Sequence, residues 1–146
     1  MLQTRAKTHN EGNMSSILDA CDPAYRTRLV KGTTLLEQGT TSGALYVLEH
    51  GRVSVFRGPV EVAEVSEPGA VFGETSVLLN TAHTATVKTK SDCDVYYFKD
   101  AAQFIRHNPA ITYEIAAILA RRLDRANNFI TDLNESARNA ANIWAW

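Results

Sequence analysis

Cysteine is scarce in this chain: Cys21 and Cys93 are the only two among 146 residues, and they form no Cys-x-x-Cys pair. That excludes a disulfide framework and a zinc knuckle, and it leaves both thiols as packing residues. Charge of one sign is lacking as well. Fifteen Lys and Arg against sixteen Asp and Glu give a net charge of −1, with no broad basic surface to hold a phosphate backbone. Direct nucleic-acid binding is therefore not expected. No apolar run approaches the roughly 18 residues of a membrane span, and the polar start Leu2-Gln3-Thr4-Arg5 lacks the apolar stretch of a secretory signal. A cytoplasmic protein without membrane attachment is the expectation. Catalytic spacings are absent too. His9, His50, His83 and His107 are dispersed, with no His-x-His and no pair four apart, and there is no Gly-x-Ser-x-Gly elbow. A metal site and an enzyme are both disfavoured.

What the chain does have is punctuation. A hydrophobic content of 45% in this length supports one ordinary core. Residues 1–13 are polar and predict a flexible leader, with a single domain over 14–146. The spacing of Ile17, Leu18, Cys21, Tyr25 and Leu29 predicts a helical segment within 14–30, interrupted at Pro23. Over 31–99, Gly39, Gly43, Gly51, Gly58-Pro59 and Pro68-Gly69 separate short segments rich in Val, Leu, Tyr and Phe, which predict strands of a β-sandwich or roll. His50-Gly51 predicts a hairpin turn. Asp100 caps a short helix over 101–107, and Pro109 opens a longer one. The fold class is α+β: an antiparallel, jelly-roll-like β-roll with a short N-terminal helix, a short helix after Gly73, and a long C-terminal helix.

The most informative run is Phe72-Gly73-Glu74-Thr75-Ser76, followed by His83-Thr84-Ala85-Thr86-Val87. Gly73 permits close backbone approach, the turn after it presents free N–H groups, and the Glu74 carboxylate suits a sugar hydroxyl. This run resembles the phosphate cassette of cyclic nucleotide-binding domains of the catabolite activator protein/FNR-like superfamily: Phe-Gly-Glu, then Arg, a small residue and Ala-Thr-Val. Residues 32–39 and 43–55 are similar to the opening strands of the same family. The resemblance implies a site for cAMP or cGMP, without metal, built from Phe72, Gly73, Glu74, Thr75, Ser76, His83, Thr84 and Ala85. It also implies that Arg122, Ala126 and Asn127 face the pocket from the long helix, Asn127 hydrogen-bonding a purine edge from the same or the opposite subunit.

His83 stands where the family carries its phosphate-gripping arginine. A neutral imidazole offers one donor where a guanidinium offers a charged fork, so weaker binding is expected, tighter near pH 6 than near pH 8.

Farther on, Leu119, Leu123, Ala126, Ile130, Leu133, Ala137, Ala140 and Trp144 alternate by four and three, a coiled-coil seam. The expected partner is a second copy of the same helix, giving a homodimer. The superfamily's helix-turn-helix has no counterpart in residues 134–146, so output through an unknown protein effector is expected. The functional expectation is a regulatory sensor of cyclic nucleotide that signals through its C-terminal helix and dimer interface. The alternative is a degenerate member that binds no nucleotide and serves as a dimerisation or protein-interaction module. Trp144 and Trp146 carry no assigned role.

Overall fold

The computed structural model describes residues 15–137. Three layers stack in order: helices, a first sheet, a second sheet. The first sheet has the order β1 (Arg26–Leu29), β8 (Cys93–Phe98), β3 (Leu45–His50), β6 (Val71–Phe72). The second has β2 (Thr34–Leu36), β7 (Thr86–Thr89), β4 (Val53–Arg57), β5 (Val60–Val65). Every pairing is antiparallel, giving the β-roll that the turn signals imply.

Strand β3 reads Leu45-Tyr46-Val47-Leu48 because both its faces are covered. Leu45 and Val47 pack under the helices with Tyr96 and Phe98 of β8, whereas Leu48 points between the sheets with Val53, Val87 and Val95. Alternating side chains serve two cores, so the apolar run is continuous. Strand β5 has one covered face at most and remains exposed at the sheet edge.

Two expectations need correction. Residues 14–30 are not helical throughout: α1 (Ser15–Ala20) and a 3₁₀ turn (Pro23–Tyr25) give way to β1, whose Arg26–Leu29 pair with β8. The helical spacing of Tyr25 and Leu29 was overridden by the open edge of β8, which offers a full ladder of backbone hydrogen bonds. His50-Gly51 is also no hairpin, since β3 and β4 belong to different sheets. Gly51, at φ 111°, carries the chain between them, and a Cβ there would lie 2.6 Å from the Asp92 carbonyl oxygen. The leader 1–13 and the seam positions Ala140 and Trp144 lie outside the described residues, as does Trp146.

Helices α3 (Ala101–His107) and α4 (Pro109–Ala137) follow the strands. Ile111, Ile115 and Ile118 put one stripe of α4 into the core beside Ile17 of α1. At about 1.5 Å per residue, the 29 residues of α4 extend about 43 Å. Beyond Leu119 the apolar residues leave that stripe: Leu123 is 57% exposed and Leu133 53%. Among the described residues, no helix is long and apolar enough to cross a membrane.

Candidate functional site

The segment between β6 and β7 builds one wall of a cavity. Ala70, Val71 and Phe72 are buried against β3, and Gly73 then turns with φ 94° to start α2 (Glu74–Leu79). An alanine Cβ at position 73 would lie 2.4 Å from the Ala44 carbonyl oxygen, so both conformation and space demand glycine. The turn closes on itself: the Ser76 hydroxyl donates to the Thr81 carbonyl, and Asn80 ends the helix in the left-handed region.

The resulting cavity holds about 360 Å³, within the range of small-molecule sites of about 300–1,000 Å³. Its lining unites Phe72, Gly73, Glu74, Thr75, Ser76, His83, Thr84, Ala85 and Arg122. Nine of the ten positions expected from sequence therefore meet in one place. The tenth, Asn127, does not line the cavity within one chain, and neither does Ala126. Residue 127 lies more than a turn of α4 beyond Arg122, at about 7.5 Å of axial rise. Strand valines and Arg57 were not legible as site residues, because only the sheet assignment shows which strand faces turn toward the cavity; Ser42, in the loop before β3, joins the site only through its contact with His83.

Glu74 is 5% exposed, and its carboxylate accepts from Arg122 of α4 in an ion pair. The same guanidinium donates to the Val71 carbonyl at 3.3 Å. Arg122 reaches inward because it continues the buried stripe Ile111, Ile115, Ile118 at the same four-and-three spacing. Its neighbour Leu123, turned about 100° around the helix, points elsewhere.

His83 is only 4% exposed. One ring nitrogen, Nε2, lies 2.7 Å from the Ser42 hydroxyl, while Nδ1 is buried with no hydrogen-bond partner among the described residues. Burial pushes its pKa below the ordinary histidine value, because the apolar surroundings penalise the imidazolium. Its backbone is also held: the N–H donates to Thr40 at 2.8 Å, and the carbonyl accepts from Gly39 at 2.9 Å. A buried, unpaired donor or acceptor in a cavity wall invites a polar ligand.

The chain matches the Cyclic nucleotide-binding domain family over residues 26–106, more than half its length. It belongs to that family. Among curated relatives, a cAMP-dependent protein kinase regulatory subunit of Mucor circinelloides f. lusitanicus is 39% identical over 75 residues, 51% of this chain and 17% of that protein. The Cyclic AMP receptor protein of Thermus thermophilus is 32% identical over 116 residues, 75% of this chain and 54% of that protein. The chain thus spans about half or less of these relatives' lengths. The crystal structure of the Thermus thermophilus catabolite activator protein aligns at a TM-score of 0.62 with 27% identity, covering 86% of this chain and 62% of that one.

Within the family fold, the cassette of this cyclic nucleotide-binding domain keeps its glycine and its carboxylate and has His83 as its departure. Among the described residues, no three His, Cys, Asp or Glu side chains gather as metal ligands. Cys21 and Cys93 are free and buried, and burial together with the Glu49 charge pushes the Cys21 thiol up to about 12.

Proposed function

We propose that this cyclic nucleotide-binding domain is a cytoplasmic sensor that takes cAMP or cGMP in the cavity beside Glu74 and transmits occupancy through α4. The observation that carries this is the Glu74–Arg122 pair in the cavity wall. A sugar hydroxyl donating to Glu74 engages the same carboxylate that holds Arg122, and Leu123 of the exposed seam is the next residue. Filling the cavity therefore biases the position of α4, provided the ligand prefers one arrangement over the other. On the phosphate side, the first turn of α2, the Thr84 hydroxyl and His83 supply donors.

The exposed stripe of Leu123, Ala126, Ile130 and Leu133 pairs with the same stripe of a second copy, making the module a homodimer. Its four-and-three repeat favours a helix partner over a flat surface. Asn127 lies near this seam and reaches a nucleotide base only across it. An effector protein reads the change.

A second reading has its own support. Glu74 is already satisfied by Arg122, and no arginine stands at position 83, which together fit a member that keeps the roll as a dimerisation platform. Thermal melting with cAMP, cGMP and linear AMP at pH 6 and pH 8 separates the two. A ligand at a hundred times its Kd stabilises by about 2.7 kcal/mol, a shift of several degrees for a domain of this size. A rise with a cyclic nucleotide supports the sensor. Unchanged melting with all three leaves the platform.

A further inference from the structure

The cavity lining includes one cation that the cassette does not provide. Arg57 ends β4, and the β4–β7 ladder sets Val55 opposite Val87 and Phe56 opposite Thr86. Continued by one residue, the same register places Arg57 opposite Ala85, two positions from His83. Val55, Val87, Ala85 and Arg57 all line the cavity, as strand alternation requires of residues sharing one face. The strand end is pinned there by Gln38, whose backbone N–H donates to the Thr86 hydroxyl at 3.0 Å. The Gln38 side-chain oxygen in turn accepts from the Gly58 N–H at 2.7 Å. Arg57 thus stands on a clamped strand terminus beside the segment that would meet a phosphate.

Among the arginines of the strands, charge pairing singles it out further. Arg26 pairs with Glu49, Arg28 with Asp92 and Asp94, and Arg52 with Glu64, whereas Arg57 forms no ion pair among the described residues. Within the cavity lining, Arg122 is compensated by Glu74, and His83 is disfavoured as a cation by its burial. Among the described residues, Arg57 is left as the uncompensated charge of the site, and it is exposed.

We propose that Arg57 is the guanidinium that meets the ligand's anionic group in this domain, approaching from the β4–β5 hairpin where position 83 offers an imidazole. This rests on the cavity being a nucleotide site. A cyclic phosphodiester brings one negative charge, and Arg57 supplies one positive charge to meet it. The contact is charge-assisted but partly open to water, so its loss weakens binding about tenfold.

The test is calorimetry on the whole chain with cAMP, cGMP and neutral adenosine, at low and high salt, for the wild type, Arg57→Gln and Arg57→Lys. Urea unfolding verifies that each variant folds. The expected result is about tenfold weaker cyclic nucleotide binding by Arg57→Gln, a flatter salt dependence, unchanged adenosine binding, and substantial recovery with Arg57→Lys. Wild-type affinity and salt dependence in Arg57→Gln would overturn the role of Arg57 while leaving the cavity as the nucleotide site. Equal loss of adenosine and cyclic nucleotide would mark a structural role and overturn it likewise. A wild type that binds neither cyclic nucleotide removes the site itself, and the proposal with it.

Discussion

Glu74 and Arg122 are 48 residues apart in the chain, yet their side chains form an ion pair that ties the long helix α4 to the turn after β6. The carboxylate is the buried partner, with 7% of the Glu74 side chain exposed against 43% of the Arg122 side chain. That asymmetry decides which deletion matters more.

Removing the cation strands a buried carboxylate. Arg122→Ala is expected to lower unfolding free energy by about 1–3 kcal/mol, below the roughly 3–5 kcal/mol of a fully buried pair because the arginine side chain is partly exposed. Adding Glu74→Gln to that variant should restore part of the loss, since a neutral amide costs less to leave unpaired. Urea midpoints of the wild type, both single variants and the double variant measure the coupling; strictly additive losses would mean that the pair contributes nothing.

Gly73→Ala meets two penalties at once, a left-handed backbone and a Cβ 2.4 Å from the Ala44 carbonyl oxygen. The expected destabilisation exceeds about 2 kcal/mol, with loss of ligand-induced thermal shift. Denaturant unfolding and melting with cAMP provide the readings; wild-type stability would show that the turn relaxes freely.

His83 gives stability a pH dependence of definite sign. Its folded pKa is depressed by burial, so between that value and the unfolded value near 6.5 the unfolded chain binds more protons. This contribution is present above pH 6.5 and is lost as the pH falls toward the folded value. A bound phosphate reverses the preference by favouring imidazolium, so cyclic nucleotide affinity should rise from pH 8 to pH 6. The charged groups that share the cavity lining with His83 are Arg57, Glu74 and Arg122. His83→Gln should flatten both profiles, by urea unfolding and by calorimetry; unaltered slopes would assign them to other groups.

Leu123 and Leu133 lie on the exposed stripe of α4. Leu123→Asp and Leu133→Asp together should convert a dimer into a monomer without lowering the unfolding free energy of the monomer by more than about 0.5 kcal/mol, as expected for exposed sites. Sedimentation velocity decides this. A wild type that sediments as a monomer, or a variant that remains dimeric, would remove the seam.

Much of the roll is legible in the chain because local rules and the fold agree there. Val60–Val65 is a strand by composition and is one in fact, and Pro109 opens α4 as a proline at a first helical turn should. The N-terminal segment failed because Arg26–Leu29 has weak preferences of its own, and the unpaired edge of β8 recruited it. At the site, Gly73 and Glu74 are readable from their spacing. Arg57 and Ser42 are not, since neither belongs to the cassette and each is brought to it by strand pairing or loop closure.

Residue order alone determined the β-roll, the cassette with histidine at position 83, and the four-and-three repeat of the last helix, because each depends on side chains close together in sequence. Tertiary structure decided that Glu74 is engaged by Arg122, that the His83 ring is buried with Nδ1 unpartnered among the described residues, and that Arg57 joins the same cavity. These are relations across sheets and layers, set by register and packing, and no local propensity encodes them.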